Sequence, residues 1–224
     1  CMSGAYCAAG SIASTACPAG SYCRDGGQSN IACLPGYYCP ASSTFPIACT
    51  VGSYCSSGVS GGTGCPAGNF CPVYATTYYT CPVGYYCSGS TQSPISCLMG
   101  HYCPSGTAGV SSCAAGYYCG DSTFQVGCPA GHYCPGSNSY PLVCPNSYYC
   151  TGGISSLTGL GCGAGSYCPA ASPTTYTCPS GHYCTGGPTY TLCPAGYYCP
   201  EGSATYNQCP AGNFCPLGSI TYYT

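Results

Sequence analysis

Fourteen pairs of cysteines run the length of the chain, and each pair encloses five residues. The pairs open at positions 1, 17, 33, 49, 65, 81, 97, 113, 128, 144, 162, 178, 193 and 209. The C-x5-C spacing never varies, whereas the stretch between pairs does. Repeats are 16 residues long, apart from 15-residue repeats at 113–127 and 178–192 and an 18-residue repeat at 144–161. A fixed short segment beside an elastic long one implies that geometry constrains the first, while the second is a surface loop that tolerates insertion. Residues 1–224 therefore read as a single continuous array of fourteen cysteine-rich repeats. The next cysteine falls due just after Thr224, so the array is expected to be part of a longer one.

Aligned, the repeats follow C-P-A-G-x-Y-C-P-x-G-S and then about five residues rich in Ser, Thr and Tyr. Position four is Gly in every repeat but one, where Ser147 stands; position six is Tyr, or Phe at Phe70 and Phe214. Cys-Pro-x-Gly reads as a turn, with Pro presetting its own dihedral and Gly leaving by a route closed to other residues. The following x-Tyr-Cys is short and extended, so positions five and six point to opposite faces. Position six, always aromatic, is assigned to the inside. Stacked repeats would then align Tyr6, Tyr22, Tyr38, Tyr54, Phe70 and Tyr86 as a ladder of rings, each pair adding about 0.5–1.5 kcal/mol beyond its buried area.

No stretch without Gly or Pro exceeds the nine residues 73–81, which include the β-prone Thr-Thr-Tyr-Tyr-Thr, so helices are not expected. The fold class is small disulfide-rich repeats made of strands and turns only, drawn out as a rod or solenoid of fourteen units. With 28 Cys, 26 Tyr, 4 Phe and 2 Met in 224 residues, cross-links must replace an aliphatic core. The favoured connectivity joins the second cysteine of one repeat to the first of the next, as Cys7–Cys17, Cys23–Cys33, Cys39–Cys49 and Cys55–Cys65, closing a loop that absorbs the length changes. Pairing inside C-x5-C and longer-range pairing stay open. In the favoured scheme Cys1 and Cys215 need partners outside the chain, which would couple array ends to polymerisation.

Charge is nearly absent: 2% of residues, with no Lys. Basic attraction to nucleic acid or anionic membranes is thereby excluded. A surface so poor in charge needs hydration from attached sugars or burial in an assembly. Disulfide-dense chains belong to oxidising compartments, so the expected location is extracellular. No apolar run reaches the length of a membrane span and no basic-then-apolar leader is present, so a leader or anchor is expected to lie outside this stretch.

CPAGYYCP at 193–200, CPAGHYCP at 128–135 and CPSGHYC at 178–184 resemble ephrin-receptor-like and tumour-necrosis-factor-receptor-like cysteine-rich repeats. They look most similar to the tandem Cys-Pro-x-Gly-x-Tyr-Cys arrays of algal and protist surface proteins, including mastigoneme-like and wall components. The resemblance covers the whole chain and implies an elongated, non-enzymatic, extracellular part. It transfers neither a disulfide pattern nor a receptor function.

Chemistry-bearing side chains are few. Cysteines six apart do not have zinc-ligand spacing. His101, His132 and His182 each occupy position five and read as outward side chains. Asp25, Asp121 and Glu201 lie in separate repeats just after the second cysteine, with Arg24 beside Asp25. They read as solvated loop residues, so neither a cofactor nor catalysis is expected. Ser42, Ser43, Thr44, Thr174 and Thr175 lie in Pro-containing loops and are candidate O-glycan acceptors. The expected function is a structural component of an extracellular filament, hair, sheath or wall, self-associating or joined end to end and hydrated by glycans. The alternative is an extracellular stalk or adhesive module that recognises carbohydrate or protein, with the irregular repeat 144–161 as its candidate site.

Overall fold

The computed structural model describes residues 1–224 and contains no helix. Twenty-four strands of two residues pair as twelve antiparallel hairpins. Inside a repeat, positions five and six pair with positions fifteen and sixteen: Ser21–Tyr22 lies against Ile31–Ala32, and Tyr37–Tyr38 against Ile47–Ala48. By their contacts the residues fall into two compact units. The first comprises Cys1–Leu98, Tyr102–Ser111 and Ser122–Phe124, and the second Met99–His101, Ser112–Asp121 and Gln125–Thr224.

Two turns build each repeat, one after each cysteine. In the first, the amide of Ser21 donates to the Pro18 carbonyl at 3.1 Å while Gly20 sits at φ 84°. That is a type II turn with Gly at its third place, the place that demands positive φ. The turn therefore starts at Pro18, one residue later than Cys-Pro-x-Gly suggests, because Gly in the fourth place of a turn would have no need of that φ. The second turn repeats the device: Ser43 N–H donates to Pro40 O at 3.2 Å, with Ser42 at φ 61°.

The first turn folds the chain back so that the two cysteines flanking it come side by side. All fourteen disulfides lie inside C-x5-C, from Cys1–Cys7 to Cys209–Cys215, with Cα atoms 5.7–6.0 Å apart. This corrects the favoured connectivity. Cys7, Cys23, Cys39 and Cys55 bond to Cys1, Cys17, Cys33 and Cys49 of their own repeats, and Cys65 bonds to Cys71. No cysteine is free, so Cys1 and Cys215 offer no thiol for linking chains. The elastic segment carries no bridge, which is why its length can vary.

Sulfur also fills the interior. The buried apolar residues are Ala5, Ala75 and twenty-three cysteines, most of them fully enclosed. The aromatic ladder is corrected with the disulfides: Tyr6, Tyr22, Tyr38, Tyr54, Phe70 and Tyr86 are half-buried flanks of the hairpins, and the cystines occupy the place assigned to them.

Neighbouring repeats are joined by backbone. Gly20 N–H donates to Cys39 O, Cys23 N–H to Ser43 O and Ser42 N–H to Cys17 O, each at 2.8 Å. The same three bonds recur in the second compact unit as Gly181 to Cys199, Cys199 to Ser219 and Gly218 to Cys193. Main-chain pairing of this kind depends little on side-chain identity, so the outward positions are free to differ.

The repeat two places on also makes contact. A Cβ on Gly131 would stand 2.5 Å from the carbonyl oxygen of Ala171, and one on Gly181 2.6 Å from that of Gly218. Position four is thus held to Gly twice, by its φ and by a carbonyl pressed against it. That carbonyl belongs to the residue three after the second cysteine. In repeats 113–127 and 178–192 this turn is one residue shorter, since Cys103 N–H and Cys168 N–H bond to Ser122 O and Gly187 O one place early. Gly84, two repeats before the first of these, has only the Thr123 methyl at 3.7 Å. Ser147, the one residue that replaces Gly at position four, at φ 70°, stands two repeats before the second.

The two extra residues of repeat 144–161 lie in its returning arm. Cys134 N–H still finds Ile154 O in register, and the arm closes through Tyr149 N–H to Leu160 O at 3.1 Å. Inserting Gly-Ser after Ser156 is therefore expected to move the thermal midpoint by no more than a few degrees. The same insertion between Ala67 and Gly68 widens a sealed loop and is expected to abolish correct oxidation of Cys65–Cys71. Melting followed by circular dichroism and a thiol count after refolding check both outcomes.

Candidate functional site

The hairpins bring the aromatic column of position six opposite a second column at position fifteen. Tyr22 faces Ile31, Tyr38 faces Ile47, Phe70 faces Tyr79, Tyr86 faces Ile95 and Tyr167 faces Tyr176. Aromatic and β-branched cross-strand pairs are the stabilising unit of such small sheets. They leave a face that is still open to solvent, with Ile31, Ile47, Tyr79, Ile95 and Tyr176 each exposed by 37–45%.

The ring contacts on this face follow a rule the sequence reading missed. Sixth-position rings meet the aromatic near position fourteen of the next repeat: Tyr54 with Tyr78, Tyr183 with Tyr206 and Tyr198 with Tyr222, edge to face at centroid distances of 5.6, 5.4 and 5.6 Å. Tyr167 meets Tyr190 in the same way at 5.1 Å, one place earlier because that repeat is short. A stacked column is thus replaced by a zigzag between two columns. Its signal was present as Tyr seven residues after the second cysteine at Tyr78, Tyr206 and Tyr222. Rings are densest at 167–206, where Tyr206 also meets Tyr197 at 4.5 Å and His182 meets Tyr190 at 4.8 Å.

The three histidines share one arrangement. Nδ1 lies 3.2 Å from Met99 O in His101, 3.4 Å from Ala130 O in His132 and 3.2 Å from Ser180 O in His182. A carbonyl can only accept, so Nδ1–H is the donor in all three. Arg24, Asp25, Asp121 and Glu201 are exposed, and the three carboxylates sit on second turns of different repeats. Asp121 borders a shallow hollow with Tyr118, Gly120 and Val126.

The hydroxyl candidates divide by environment. Ser42, Thr174 and Thr175 are exposed, while Ser43 and Thr44 are half-buried. The Ser43 hydroxyl donates to Pro40 O at 2.6 Å, and buried Ser172 and Ser219 repeat that bond to Pro169 and Pro216. Thr91 departs from the pattern, since its Oγ1 is buried without a partner. Thr91→Val is accordingly expected to be neutral or to stabilise by up to about 1 kcal/mol, measurable by chemical denaturation.

No protein-family model matches the chain, and no curated protein matches it. Fourteen disulfides indicate an oxidising environment, and no helix is long and apolar enough to cross a membrane. The disulfide-rich repeat architecture is consistent with an extracellular structural or binding role.

Proposed function

We propose that the protein is a non-catalytic structural component of an extracellular filament, hair, sheath or wall, akin to the tandem cysteine-rich arrays of algal and protist surfaces. The observation that carries this reading is the open aromatic and aliphatic hairpin face on a chain with 2% charged residues. Apolar surface of that extent, repeated at each hairpin, is suited to burial against further copies. Main-chain bonding between repeats supplies cohesion without requiring charge. The purified secreted protein is expected to associate laterally or end to end in electron micrographs and to sediment faster as its concentration rises. Monodisperse monomers throughout that range contradict the reading.

Sugars on the loops supply the remaining hydration. Mass spectrometry that preserves glycans is expected to find them on Ser42, Thr174 and Thr175 and to find Ser43, Ser172 and Ser219 bare, because those three hydroxyls are engaged or enclosed.

A second reading, an adhesive stalk for carbohydrate or protein, draws on the inserted arm of repeat 144–161. It predicts that deleting residues 155 and 156 abolishes ligand capture while leaving assembly intact.

A further inference from the structure

We propose that the Tyr183–Tyr206–Tyr197 cluster is a site of oxidative phenol coupling, at which a haem peroxidase with hydrogen peroxide joins Tyr206 to Tyr197 as dityrosine. Composition narrows the covalent options first. With no Lys and no free Cys, neither amine-based cross-links nor new thiol bridges are available, whereas the chain holds 26 phenols. Geometry then selects among them. Tyr206 and Tyr197 are the closest of the ring pairs at 4.5 Å between centroids, and Tyr183 also meets Tyr206, edge to face at 5.4 Å. Tyr206 is 42% exposed, so an oxidant at the surface reaches the cluster through it.

In the step, each phenol gives up one electron and one proton. The two tyrosyl radicals join through ring carbons ortho to oxygen, and the two ring hydrogens at those carbons move to the oxygens as aromaticity is restored. Hydrogen peroxide takes up the two electrons and two protons and leaves as two waters. Two radicals held in contact couple before either meets another chain, because the reaction is unimolecular for the pair and its effective concentration is high. The coupling is within one chain, so it does not rest on the assembly reading.

The test treats the full oxidised chain with horseradish peroxidase and hydrogen peroxide at high dilution, then maps dityrosine by fluorescence and by mass spectrometry of non-reduced peptides. The 197–206 cross-link is expected as the main product of the monomer fraction. Tyr206→Phe is expected to lower monomer dityrosine severalfold, while Tyr140→Phe leaves it unchanged although Tyr140 is 65% exposed. Circular dichroism of both variants confirms that the fold is kept. Dityrosine spread in proportion to exposure, with Tyr140 dominant, overturns the proposal, as does a monomer fraction without the 197–206 link.

Discussion

Gly131→Ala is expected to destabilise the array by about 3 kcal/mol, and Gly84→Ala by only about 1 kcal/mol. Both glycines lie at nearly the same φ, 80° and 81°. A left-handed conformation costs an L-residue about 1–2 kcal/mol, so that contribution is common to both variants. They differ in what the new methyl meets. At Gly131 it would lie 2.5 Å from the Ala171 carbonyl oxygen, a backbone atom that moves only if two repeats part, whereas at Gly84 it makes ordinary contact with Thr123. Overpacking against a fixed neighbour adds about 1–3 kcal/mol. Ser147→Gly is expected to shift stability by less than about 1 kcal/mol, since relief of the positive φ is offset by the greater freedom of Gly in the unfolded chain. Amide hydrogen exchange, across 81–127 for Gly84→Ala and across 128–177 for Gly131→Ala and Ser147→Gly, reads the differences locally, as an array of repeats need not melt in one step. Equal losses for the two alanines would show that φ alone holds position four to Gly.

Removing one bridge is expected to damage the fold locally, and removing all of them to abolish it. A sealed loop of seven residues contributes about 2 kcal/mol in the chain-entropy picture. Cys81 and Cys87 are also fully enclosed, so a double Cys→Ser variant places hydroxyls where sulfur filled the interior. Cys81 O accepts from Gly106 N–H and Cys87 N–H donates to Thr107 O, so the damage spreads first into the following repeat. Loss of hydrogen-exchange protection is expected in repeats 65–112, with repeats 1–48 unaffected. Full reduction removes about 2 kcal/mol fourteen times over, well beyond the roughly 5–15 kcal/mol that holds an ordinary domain. All hairpin signal is then expected to vanish from circular dichroism. Collapse of the whole chain on loss of the single bridge would contradict a covalently local design.

Much of this architecture could be read from residue order. The repeat frame, the lack of helices and the replacement of an aliphatic core by cystine follow from the fixed spacing and from Gly or Pro recurring within every ten residues. The pairing did not follow, although its signal was the invariance itself. A loop closed by its own disulfide cannot change length, whereas an open one can, and here the unbridged segment is the one that varies. The inward assignment of Tyr6, Tyr22 and the rings after them failed for a related reason. Periodic aromatics usually mark a core, but backbone carbonyls approach position four of other repeats so closely that rings have no room between them. The double constraint on Gly131, and its absence at Gly84, required knowing which repeat lies two places away, and a single repeat does not encode that. The tyrosine zigzag was accessible through a fixed offset, yet it runs through the stretch whose length varies, which hid its register.

The disulfide map tests the central claim most directly. Digestion with pepsin at low pH suppresses thiol exchange, and mass spectrometry of the unreduced peptides then shows which cysteines remain joined. Cleavage between Cys7 and Cys17, between Cys23 and Cys33, and at each later junction is expected to release repeats that share no covalent link, every one retaining its own C-x5-C bridge. Peptides in which Cys7 is tied to Cys17, or Cys39 to Cys49, would contradict the account.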